Sequence, residues 1–187
     1  MIIIKTPEDI KILREGGKLH AEILEKLARM VKPSVSAREL NERADELIKE
    51  NGDKSAFLDY KPYGAKRPYP ASLCVSVNDE VVHGIPNEGD KILNEGDIVS
   101  LDLGIIHKGL ITDAAITVPV GTVNAVVGKL LSVTQKALME GIKAARGGSR
   151  VGDISHAIEK IGLEAQEKAA PENTEAMEEP NAHQQNS

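Results

Sequence analysis

The sequence has no tryptophan, one phenylalanine and one cysteine. A single Cys74 cannot close an internal disulfide, so nothing ties the fold to an oxidising compartment and a cytoplasmic location is expected. No apolar run approaches the 18 or so residues of a membrane span, and no charged start followed by an apolar stretch marks a signal peptide. Basic excess is also missing. The net charge is -6, and residues 164–187 alone hold six Glu against one Lys. The nearly neutral remainder argues against nucleic acid as main ligand and against an anionic membrane.

Aromatic residues are scarce and gathered: Phe57, Tyr60, Tyr63 and Tyr69 all lie within one short stretch. A core made of aliphatics has no need to concentrate its aromatics in a loop. They form either a local packing cluster or the wall of a small apolar pocket. Past Leu163 there is no Ile, Leu, Val or aromatic residue. Such a segment cannot bury enough apolar surface to offset its ordering entropy, so 164–187 is predicted to be an acidic, disordered tail. Residues 1–163 are long enough for one domain with a sizeable core.

Thr6, Pro7 and Asp9 give a helix start, with a hydroxyl cap, proline at the first position and an acid at the third. The helical period runs to about residue 31, weakened at Gly16-Gly17, and Pro33 follows. Ser36 and Glu39 form a capping box for a second helix, with Leu40, Ala44, Leu47 and Ile48 as its buried stripe and Gly52 as its stop. Residues 53–70 read as loop. Residues 71–84 read as a strand, a turn at Asn78-Asp79 and a short apolar return to His83. From about Asn124 two amphipathic helices follow, the second starting near Gly152, with Val126, Leu130, Val133, Ala137, Leu138, Ile142 and Ala145 in the stripe of the first.

The chain is organised around residues 96–118, GDIVSLDLGIIHKGLITDAAITV. Two apolar runs flank a turn, and Gly109 supplies the positive φ of a primed hairpin turn. If Lys108 and Gly109 are the two loop residues, Asp113 stands opposite Gly104, and Asp102 and Asp113 become same-face diagonal neighbours. Their backbones would then be roughly 7–8 Å apart, within reach of a shared cation. A three-residue loop would put them on opposite faces. Small and polar residues on one face (Ser100, Asp102, Gly104, Asp113, Ala115, Thr117) against apolar ones on the other favour the first register. Taken alone, the aspartate face is either merely solvated or a site. His83, ahead of glycine at a strand end, is likewise either a capped loop residue or a group facing a cleft.

IKTPEDI, SLCVSVNDEVVHGIP and GDIVSLDLGIIHKGLITDAAITVPVG, in this order and spacing, resemble type I methionine aminopeptidase over about residues 1–163. The resemblance implies an α+β fold: the N-terminal half and first helices of a pita-bread fold, with an antiparallel sheet and helices packed on one face. It implies a metal-dependent aminopeptidase that removes the initiator methionine from nascent polypeptides, hydrolysing the peptide bond with a metal-bridged hydroxide. Two divalent ions per complete site are implied, Co, Mn, Fe or Zn, as are a monomeric state and nascent N-termini and the ribosome as partners. By the same resemblance Asp102 chelates one metal, Asp113 bridges both, and His83 is catalytic and contacts substrate. Phe57, Tyr60, Tyr69 and Cys74 correspond to positions around the methionine side chain, although the family often has cysteine where Phe57 stands. The segment GAKRPYP lengthens this loop beyond the family pattern.

The family's remaining ligands, a histidine in a G-H-G context and two strand glutamates, follow the counterpart of residue 163. None of that sequence is present here. His156 falls within a helix, and His183 lies in the polar tail. The expectation is a truncated catalytic domain with weak metal affinity and little turnover, or alternatively a non-catalytic remnant acting as a peptide- or protein-binding module.

Overall fold

The computed structural model describes residues 3–167. Helix α1 (Pro7–Met30) opens on a capping box in which the Thr6 hydroxyl accepts from the Asp9 amide and the Asp9 carboxylate accepts from the Thr6 amide. Helix α2 (Ala37–Glu50) repeats the device with Ser36 and Glu39, and the chain leaves it through Gly52 at φ 75°. Leu40, Ala44, Leu47 and Ile48 are all buried, as the stripe predicts. Gly16 does not interrupt α1, because it faces the sheet: a Cβ there would lie 2.9 Å from the Cβ of His107. The glycine is what lets the helix approach so closely.

Four antiparallel strands form the sheet. Strand β3 (Ile98–His107) is central, β4 (Leu110–Pro119) pairs along one side, and β1 (Lys54–Ser55) and β2 (Leu73–Val77) share the other. Helices α1 and α2 pack on one face, burying Val99, Leu101, Leu103 and Ile105 of β3 with Ile23, Leu27 and the α2 stripe. At the far end of β3, the buried His107 joins Asp53 through Nδ1 and Oδ1 at 2.7 Å. That contact ties the hairpin to the segment leaving α2.

Three expectations need correction. The 53–70 segment is not all loop, since β1 pairs Lys54 with Ile106 and Ser55 with Ile105. The apolar return after Asn78 does not become a strand. Val81 and Val82 are exposed, and the returning backbone meets β2 where the Val75 amide donates to the Gly84 carbonyl at 2.9 Å. The stripe on α3 (Ala125–Ala144) is covered only in part: Ala137 is buried and Val133 half-buried, whereas Val126, Leu130, Leu138 and Ile142 are exposed.

Where the sequence reads as one body to residue 163, the chain divides into two compact units, the first ending at Gly128 and the second beginning at Lys129. In the second, Gly141 of α3 admits Ile158 of α4 (Val151–Glu167), and Ala137 and Ile161 are buried. Helix α4 carries on past residue 163 to Glu167; the rest of the predicted tail lies outside the described residues. No helix among the described residues is long and apolar enough to cross a membrane.

Candidate metal and peptide site

The hairpin turns at Lys108 (φ 47°) and Gly109 (φ 85°), two positive-φ residues in succession, which is a primed turn. His107 therefore pairs with Leu110, and Gly104 with Asp113. This is the two-residue register, and it places Asp102 and Asp113 on the same face of the sheet. Asp102 also stands directly opposite Cys74 of β2, so three strands present these side chains to one side. The Ser100 and Thr117 hydroxyls meet there at 2.8 Å.

The Asp102 carboxyl is pushed above its ordinary range, first by partial burial and then by the neighbouring Asp113, with His83 opposing both. Behind this strand pair, the buried His20 of α1 holds Thr112 by Nδ1 to Oγ1 at 3.0 Å. Burial holds the His20 imidazole below its usual range, against the pull of Asp113.

His83 adopts φ 59°, unusual for a residue with a Cβ, and conformations of this kind persist where the surroundings dictate them. The next residue shows how. A Cβ on Gly84 would lie 2.2 Å from the Val75 carbonyl oxygen, and the Gly84 amide donates to the Ser76 hydroxyl at 3.0 Å. With its neighbour fixed against β2, the backbone of His83 is held in that conformation.

Asp102, Asp113 and His83 line one cavity of about 440 Å³. Phe57, Tyr60, Tyr69 and Cys74 line it as well, so every site residue expected from the sequence comes to one place. Phe57 lies over Gly104, where a Cβ would come within 2.6 Å of its ring, and meets Tyr69 edge-on at 6.3 Å. The Tyr69 hydroxyl donates to the Gly84 carbonyl at 3.1 Å, linking the aromatic wall to the histidine segment. Burial raises the pKa of the Tyr69 phenol, and pushes the Cys74 thiol up to about 11. Both groups are therefore neutral, and Cys74 serves as wall rather than nucleophile. Tyr63, grouped with the other aromatics in the sequence, is fully exposed and takes no part in the lining.

The loop over the cavity is built as a flap. Asp59 donates to the Tyr69 carbonyl and Tyr69 to the Tyr60 carbonyl, both at 2.9 Å, while Ala65 closes the tip on Pro62. Arg67 from this flap also lines the cavity and forms an ion pair with Glu88. Reading GAKRPYP only as extra loop length misses it; the available signal was a cation embedded among prolines and tyrosines.

The donors suit a divalent cation in kind, since Asp102 and Asp113 offer hard oxygens that gain from sharing a positive charge. In number they stop short: among the described residues no group of three or more His, Cys, Asp or Glu side chains could hold a metal ion.

The chain is similar to known proteins over most of its length. The chain is 43% identical over 159 residues to methionine aminopeptidase 1 of Bacillus subtilis, covering 85% of this chain and 61% of that protein. It is 42% identical to methionine aminopeptidase of Aquifex aeolicus, covering 87% of this chain and 64% of that one. The crystal structure of methionine aminopeptidase from Rickettsia prowazekii superposes with a TM-score of 0.81 at 38% identity, covering 88% of this chain and 63% of that chain. The fold is thus of the pita-bread type, and the chain spans about three-fifths of the length of these relatives. The model of metallopeptidase family M24 matches residues 11–174, and the chain belongs to that family.

Proposed function

We propose that the cavity receives the N-terminal methionine of nascent polypeptides and forms one side of a metal-dependent aminopeptidase site. The observation that carries this reading is the hairpin register, which puts Asp102 and Asp113 on one wall beside His83. In the proposed roles, Asp102 and Asp113 would hold divalent metal through their carboxylate oxygens. Bound there, divalent ions would supply Lewis-acid polarisation of the peptide carbonyl and an activated water. His83 donates a hydrogen bond to the carbonyl oxygen as charge develops on it. Phe57, Tyr60, Tyr69 and Cys74 surround the methionine side chain, an apolar group matched by aromatic faces and a neutral thiol. A cytoplasmic site of action and contact with the ribosome belong to the same proposal.

The test is binding of Met-Ala-Ser amide against its N-acetylated form, followed by titration. The free-amine peptide is expected to bind more tightly, and Asp113→Asn is expected to remove the difference. Equal binding of the two peptides would contradict the reading. A second reading, a peptide-binding module without turnover, is favoured by the shortfall in metal donors among the described residues. The two separate on release of free methionine by the metal-supplied chain.

A further inference from the structure

The two carboxylates of the candidate site are held very differently. Asp102 belongs to the central strand β3, paired with Cys74 of β2 on one side and Ala115 of β4 on the other, and most of β3 is buried. Asp113 belongs to β4, which pairs with β3 alone among the described residues and has no buried residue along its length. Packing therefore fixes the first carboxylate and leaves the second on a thinly covered strand. Polar side chains tie β4 and its turn to helix α1 in two places. Lys108 reaches Glu15 at 2.8 Å, but both side chains are about half exposed, and an ion pair this wet holds its partners weakly. The other tie is the contact of His20 with Thr112, one residue before Asp113, and it is the only side-chain hydrogen bond from a helix to β4 among the described residues.

His20 is 2% exposed, and its Nε2 is buried without a hydrogen-bond partner. An orphaned ring nitrogen costs stability that an aliphatic side chain of similar size would not. Packing alone gives no reason for a histidine at this position, whereas the contact with Thr112 does. Resting on the proposed function, we propose that His20 is a positioning residue, acting through Thr112 to hold Asp113 where it can share a cation with Asp102. Side chains alternate along β4, so Thr112 lies on the helix face and Asp113 on the site face, and fixing the first fixes the second.

The experiment titrates the full chain with Co²⁺, read by visible absorbance, and measures urea unfolding of the same variants. Thr112→Val removes the hydroxyl at nearly constant shape, and His20→Leu removes the ring nitrogens. Each is expected to weaken Co²⁺ binding roughly 2- to 10-fold, the size of one net hydrogen bond, while the urea midpoint stays at that of the unaltered chain. Thr112→Ser keeps the hydroxyl and should keep the affinity, and the double variant should bind no more weakly than either single one. Unchanged affinity in both single variants overturns the inference and leaves the proposed function standing. So does a weakening that Thr112→Ser shares, or one matched by a fall in the urea midpoint, since either would mark a merely structural role. Failure of the unaltered chain to bind Co²⁺ overturns the two together.

Discussion

The two faces of the β3–β4 hairpin alternate residue by residue and do different work. On one, Val99, Leu101, Leu103 and Ile105 are fully buried beneath α1 and α2. On the other, Ser100, Asp102 and Gly104 face Asp113, Ala115 and Thr117. The first face packs the sheet against its helices and the second carries the two carboxylates, with one residue of register between them. A slip of one position would bury the carboxylates and expose the leucines, so the apolar face is what holds the carboxylates in place.

Mutations should separate the faces. The largest effect is expected from Leu101→Ala, which empties a fully buried site and should cost roughly 2–5 kcal/mol in urea unfolding; a loss below about 1 kcal/mol would mean the face is not packed as described. Next is Gly84→Ala, whose Cβ meets the Val75 carbonyl, a rigid neighbour. It should cost about 1–3 kcal/mol and weaken peptide binding, because His83 moves with its neighbour. Acid comes third. His20 is held neutral by burial, so the unfolded chain takes up that proton first. Its contribution to stability holds above the ordinary histidine range and declines as pH falls below about 6.5. His20→Gln should flatten that part of the pH–stability curve, and an unchanged curve would show that His20 does not titrate between the states. The smallest stability effect belongs to the other face: Asp102→Asn relieves burial and like-charge repulsion, and should leave stability unchanged or raise it by up to about 1 kcal/mol. A marked loss there would place Asp102 among the structural residues.

Much of this was legible in the sequence. Caps at Thr6 and Ser36, the turn at Lys108-Gly109 and the alternation through Asp102 and Asp113 are local signals, each specified within a few residues, and the structure follows them. The signals that failed depend on distant partners. The α2 and α3 stripes look alike in sequence, yet Leu47 is buried and Leu138 exposed, because periodicity marks the face a helix offers and says nothing of what covers it. Strand β1 is too short to carry a pattern and exists through its pairing with Ile105 and Ile106. Arg67 reaches the cavity through the backbone pairing of Asp59 and Tyr69, a contact across ten residues that composition does not encode.

Titration of the metal-free chain with Co²⁺ or Mn²⁺, alongside Asp102→Asn and Asp113→Asn, tests the convergence of the two carboxylates most directly. One weak site per chain, lost in either variant, is the predicted result. Two tight sites, or binding that survives both substitutions, would contradict it.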